Sequence, residues 1–157
     1  MLAEEIIAKI NKEKTKYPTP RAAVKSALRY AQEANGWIDD GVVQDVAEVL
    51  DLEPIQVYEV ATFYDLFYTK PVGRHQLRVC TNVSCMLCGS DTVIEHIGKR
   101  LGIKPGETSS DGRFTLFEVE CLGACGGAPM MMVGNHFYEN LDGDAIDRVI
   151  DDLSAEE

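Results

Sequence analysis

Cys80-x4-Cys85 and Cys121-x3-Cys125, with 35 residues between the two pairs, constrain this chain more than any other feature in it. A fold that carries them must bring two distant loops to one place. Two close pairs of thiolates among glycines and small residues make a four-sulfur ligand set, which holds either an iron–sulfur cluster or a zinc ion. Structural zinc usually uses a knuckle with two residues between its cysteines, and neither pair has that spacing. Spacing therefore favours a [2Fe–2S] cluster while leaving zinc open. The segment Cys121-Leu-Gly-Ala-Cys125-Gly-Gly-Ala-Pro129 adds to this. Its glycines let the backbone come close to sulfide and aim N–H groups at it.

The fifth cysteine allows two other readings. Cys80-x4-Cys85-x2-Cys88 matches the spacing of plant-type ferredoxins, which would leave Cys121 or Cys125 idle in the more glycine-rich loop. Cys85-Met-Leu-Cys88 spells the CxxC of a thiol–disulfide oxidoreductase, which would explain neither Cys80 nor the second pair. Cys88 is thus read as a near-cluster thiol in the first turn of a helix, outside the ligand set.

Composition bounds the rest. A chain of 157 residues with 45 % hydrophobic content fills a core of its own, so a metal need not be the sole source of stability. The net charge of −11 divides as −4 before Pro71 and −7 from there on. Neither half has the basic face that phosphate neutralisation requires, which argues against nucleic acid. The N-terminal MLAEEIIAKINKEKTKYP is polar and amphipathic rather than a signal peptide, and no apolar run approaches the ~18 residues of a membrane span. The expected setting is the cytoplasm, where clustered cysteines serve metal or redox chemistry in preference to disulfides.

The first half reads as helices. Residues 2–13 place Leu2, Ile6, Ile7 and Ile10 on one face; Pro18-Thr19-Pro20 interrupts; residues 21–34 resume with Val24, Leu28 and Ala31 up to Asn35-Gly36. A third stripe runs through Val42, Val43, Val46, Val49 and Leu50, and Pro54 opens a fourth helix at a position that tolerates proline. Phe63, Tyr64, Phe67 and Tyr68 are expected in core or inter-domain packing. They lead to the linker Lys70-Pro71-Val72-Gly73, which sets domain limits at 1–72 and 73–157.

The second half changes period. A strand with Leu77 and Val79 delivers Cys80; Ser90 N-caps a helix ended by Gly102; a strand over 114–120 delivers Cys121. Met130–Val133 and Phe137-Tyr138 form a hairpin about Gly134-Asn135, and Asp142 caps a last helix. The order β-α-β-β-β-α gives a helix-flanked sheet of thioredoxin-like size, with both cysteine loops at one sheet edge.

Residues 41–63 mimic a helix-turn-helix, but the would-be recognition helix from Pro54 carries Glu59 and no cation, so it is a packing or docking unit. His75, His96 and His136 read as surface or edge histidines, Met130, Met131 and Met132 as flexible core or interface filler, and Trp37 as packing.

CTNVSCMLCGSD (80–91), ECLGACGGAPMMMV (120–133) and VATFYDLF (60–67) resemble the thioredoxin-like [2Fe–2S] subunit of respiratory NADH:quinone oxidoreductase, the bacterial E subunit and its mitochondrial counterpart. The likeness covers nearly the whole chain, including Asn35-Gly36-Trp37-Ile38. It departs at Cys88, where relatives often carry arginine or another residue. The resemblance implies an α+β chain, a helical N-terminal bundle followed by a thioredoxin-like [2Fe–2S] domain. Cys80, Cys85, Cys121 and Cys125 fall on the family's cluster-ligand positions. It implies an electron carrier with no catalytic residue or substrate site of its own, docked on a flavin- and NADH-binding subunit that holds FMN, within the peripheral arm on the inner face of the cell membrane. The same module occurs beside NAD-linked hydrogenases and formate dehydrogenases. A zinc-stabilised interaction protein is the alternative of another class.

Overall fold

The computed structural model describes residues 1–156 and divides into two compact units, Met1–Pro71 and Val72–Glu157. In the first, α1 (Glu4–Lys14), a 3₁₀ turn (Pro20–Ala23), α2 (Val24–Asn35), α3 (Asp40–Leu50) and α4 (Pro54–Phe63) follow one another. The apolar stripes read from the sequence are the ones that meet. Ile6 and Ile10 of α1, Leu28 and Ala31 of α2, Val46 and Leu50 of α3, and Val57 and Ala61 of α4 share one core. Asp39 caps α3 by accepting from the Val42 amide at 2.7 Å. Pro54 sits in the first turn of α4, whose entry is held by the Glu53 amide donating to Gln56 Oε1 at 3.0 Å.

The aromatic stretch departs from expectation. Phe67 alone enters the core, while Phe63 is 77 % exposed. Gln32 explains the fold-back: its Nε2 donates to Leu66 O (2.9 Å) and its Oε1 accepts from the Tyr68 amide (2.8 Å), so residues 66–68 are clamped to α2 with Phe67 turned inward.

In the second unit β1 (His75–Cys80), α5 (Val83–Leu87), α6 (Ser90–Leu101), β2 (Phe114–Val119), a 3₁₀ turn (Cys125–Gly127), β3 (Met131–Val133), β4 (His136–Tyr138) and α7 (Gly143–Ala155) form a four-stranded sheet with helices. The strand order is β2-β1-β3-β4. β1 and β2 are parallel, in register from His75 opposite Phe114 to Cys80 opposite Val119; β3 and β4 add antiparallel. Leu77, Val79, Leu116, Met131 and Val133 pack with Val93 and Ile97 of α6 and Ile146, Ile150 and Leu153 of α7. Asp142 caps α7 as expected, accepting from the Ala145 amide at 2.8 Å.

Several local expectations are corrected. Ser90 is the first residue of α6, not its cap: Gly89 takes that place at φ +95°, and the buried Ser90 hydroxyl has no hydrogen-bond partner among the described residues. Cys88 does not stand in the first turn of that helix; it closes α5, a short helix that periodicity could not reveal, and it is exposed. His75 is buried rather than at the surface, with its ring 5.5 Å from that of Phe114.

Candidate metal centre

Parallel pairing of β1 and β2 puts the C-terminal ends of both strands at one sheet edge, and the chain leaves each end directly into a cysteine loop. Cys80 is the last residue of β1. Its amide donates to Met130 O at 3.1 Å, and its Sγ–H donates to Glu120 O at 3.8 Å. Thr81 then ties the two exits together: its amide (2.9 Å) and its hydroxyl (3.1 Å) both donate to Val119 O. Asn82 starts α5 by accepting from the Val83 amide at 2.8 Å, and α5 turns Cys85 inward. Cys80 and Cys85 are buried together with Met130, a core residue that lines the site.

Cys121 and Cys125 belong to a loop of turns and are both exposed. Gly123 between them has φ +77°, a backbone conformation that a side chain would strain. After Cys125 the loop is fastened to the domain, because the Asn140 amide donates to Gly127 O (2.7 Å) and the Leu141 amide to Pro129 O (3.0 Å). Gly127 is needed for space: a Cβ there would run into the Glu139 side chain.

The four thiols line one cavity together with Asn82, Ser84 and Met130. Cys88 does not; it lines a separate cavity between the starts of α6 and α7, beside His96. His96 is itself engaged with Asp147 Oδ1 at 3.0 Å, and His136 is exposed, so no histidine is placed to substitute for a thiol. Among the described residues no group of three or more His, Cys, Asp or Glu side chains is drawn together as around a single metal ion.

Electrostatics differs from thiol to thiol. Burial acts to raise Cys80, but backbone N–H donors from Asn82 and Leu122 and the neighbouring thiols outweigh it, and its pKa is held below the usual thiol value. Cys85 is pushed up to about 11 by burial and by Cys80 beside it, against one amide donor from Met130. These amides are the kind of donor that stabilises negative sulfur, so four thiols, two of them with N–H groups aimed at them, fit an iron–sulfur cluster.

The sequence compares with known proteins in the same sense. The family model described as thioredoxin-like [2Fe–2S] ferredoxin matches residues 10–154. The second NADH-quinone oxidoreductase E subunit of Rhizobium meliloti (strain 1021) is 48 % identical over 142 residues, covering 90 % of this chain and 84 % of that one. The NADH-quinone oxidoreductase E subunit of Rickettsia conorii (strain ATCC VR-613 / Malish 7) is 43 % identical over 155 residues, covering 97 % and 89 %. An NAD+-reducing [NiFe]-hydrogenase in the H2-reduced state superposes with a TM-score of 0.72 over 83 % of this chain and 22 % of that longer one; at 23 % identity this likeness speaks to fold alone. The chain belongs to the thioredoxin-like [2Fe–2S] ferredoxin family.

Proposed function

We propose that this chain is the electron-transfer subunit of an NADH:quinone oxidoreductase, with Cys80, Cys85, Cys121 and Cys125 as the ligands of its [2Fe–2S] cluster. The carrying observation is the convergence of these four thiols on one cavity where two parallel strands end. When bound, the cluster accepts and returns one electron at a time. The residues of this chain do the rest: the β1–α5 corner holds two thiolates away from water, the glycine loop supplies two at the surface, and amides of Asn82, Leu122 and Met130 stabilise negative charge on sulfur.

In this reading NADH oxidation and FMN belong to a flavin-binding partner subunit, and the chain itself contributes no substrate site. Residues 73–157 carry the cluster, and the helical residues 1–72 serve assembly. No helix among the described residues is long and apolar enough to cross a membrane, so attachment to the inner face of the cell membrane runs through other subunits of the complex.

The test begins with a visible spectrum of anaerobically purified protein before and after dithionite, with iron and sulfide counted. About two of each and a bleaching brown colour support the cluster; a colourless protein with one zinc refutes it. Addition of the flavin subunit and NADH must then bleach the same bands. The sequence resemblance leaves one further kind of host, an NAD-linked hydrogenase or formate dehydrogenase. Co-purifying nickel–iron subunits in place of quinone-reducing ones decide for it.

A further inference from the structure

Besides the four thiols, the cavity where β1 and β2 end is lined by Asn82, Ser84, Gly123, Ala124 and Met130. Apart from the thiols, Asn82 and Ser84 are the only side chains among these that carry an N–H or O–H group, and both come from the corner between β1 and α5. The Cys121–Cys125 loop adds glycine and alanine, which can offer sulfur only main-chain donors. Asn82 holds its corner at several points. Its main-chain N–H donates to the Cys80 sulfur, and its carbonyl accepts from the Met86 amide of α5 at 2.9 Å. In the side chain, Oδ1 accepts from the Val83 amide at 2.8 Å, which fixes which end of the carboxamide is which. Nδ2 keeps two N–H groups and has no hydrogen-bond partner among the described residues. A short side chain rooted on a backbone already bonded to Cys80 keeps that nitrogen near the same sulfur.

We propose that Asn82 has a second task beyond starting α5: its Nδ2 donates to a sulfur atom of the bound cluster and thereby holds the reduction potential up. The inference rests on the electron-transfer reading above. An added electron makes the sulfur atoms of such a site more negative, and a donor bonded to sulfur gains strength as that charge grows. The Asn82 carboxamide therefore favours the reduced form over the oxidised one. It does so without titrating, so its contribution does not change with pH. Two properties then share one side chain. The Oδ1 end sets where α5 begins, and with it the place of Cys85; the Nδ2 end sets how firmly an electron is kept.

The test is a redox titration of the full-length, cluster-loaded chain, followed by visible absorbance and by EPR of the reduced form. Asn82→Asp keeps the shape and the acceptor that starts α5 but puts a carboxylate where the N–H groups were. At a fixed potential it is expected to shift the ratio of oxidised to reduced protein at least about tenfold toward oxidised, a midpoint lower by about 59 mV for one electron. Asn82→Ser retains an oxygen able to start the helix and loses the reach of Nδ2. It is expected to shift the ratio about threefold in the same direction, as loss of one hydrogen bond does. Iron and sulfide stay at the wild-type level in both variants. Pulsed EPR of reduced protein carrying isotope-labelled asparagine side chains is expected to show a nitrogen coupling that Asn82→Ser lacks. A wild-type midpoint in Asn82→Ser, or a coupling that survives in it, overturns the proposal and leaves the functional reading intact. So does a lowered midpoint in Ser84→Ala with none in Asn82→Ser. Loss of the cluster from both Asn82 variants also overturns it, because Asn82 then serves the corner alone. If the wild-type chain holds zinc or takes up no electron, the functional reading itself falls, and this assignment with it.

Discussion

The two cysteine pairs are built by different means. Cys80 and Cys85 belong to the frame of the domain, one ending a strand and the other on the inner face of a helix, at 4 % and 2 % exposure. Cys121 and Cys125 belong to a loop that turns on Gly123 and stays exposed, fastened to the domain behind Cys125. Two of the proposed ligands are in place once the sheet and α5 have formed; the other two stand on an exposed turn. A buried ligand position tolerates little change in shape or chemistry, whereas an exposed one on a turn has room to adjust.

That contrast can be broken most directly by exchanging ligands. Serine at Cys80 or Cys85 is expected to reduce bound iron to background, while serine at Cys121 or Cys125 retains measurable iron with an altered visible spectrum. Iron analysis of the four purified variants checks this, and equal losses at all four would erase the distinction. Next in size is Gly127→Val, which forces a side chain into the space of Glu139 and is expected to cost about 1–3 kcal/mol in urea unfolding, as overpacking does. Adding Glu139→Ala is expected to recover most of that loss; no recovery would mean that the glycine serves the loop for another reason.

A pH series sharpens the comparison further. Cys85 stays protonated at neutral pH because its pKa is pushed up to about 11, and a thiol must lose its proton to bind iron. Reconstitution of the cluster-free protein with iron and sulfide is therefore expected to accelerate from pH 7 to pH 9, followed by visible absorbance. A flat profile would show that deprotonation of Cys85 does not limit assembly.

His75 gives a smaller effect, from a pKa shifted the other way. Burial lowers its pKa, so between that lowered value and the ordinary histidine range the unfolded chain binds the extra proton. Stability from this group is present above about pH 6.5 and declines as the solution is acidified. His75→Phe is expected to narrow the difference between urea midpoints at pH 7.5 and pH 5.5, and an unchanged difference would assign the acid sensitivity elsewhere. The smallest effect is expected at Cys88→Ser, which leaves iron and sulfide content at the wild-type level because Cys88 lies outside the thiol cavity.

Much of this molecule was legible because its signals are periodic or stereochemical. Ile6 and Ile10, Val46 and Leu50 announce helix faces, Pro54 and Asp142 announce helix starts, and alternation at Leu77 and Val79 announces the strand that ends at Cys80. The grouping of the four cysteines at one sheet edge followed from reading each as the exit of a strand, and β1 and β2 are parallel neighbours as that required. What stayed hidden is short or tertiary. Five residues from Val83 to Leu87 are too few for a helical period, so α5 and the true place of Cys88 could not be read. Burial of His75 depends on Phe114, nearly forty residues away in sequence, and the inward turn of Phe67 on a clamp from Gln32. No local pattern records such partners.

Cys80 ends β1 and Cys121 follows two residues after the neighbouring β2, so the whole of α5, α6 and β2 lies between them in the chain. Anything that binds both is therefore also a cross-link around a βαβ crossover. Were it covalent, a closed loop of about forty residues would remove roughly 4 kcal/mol of freedom from the unfolded chain. In that sense an electron carrier and a staple would be the same object here: iron held by the proposed ligands would add a second tie to the one Thr81 makes between the ends of β1 and β2.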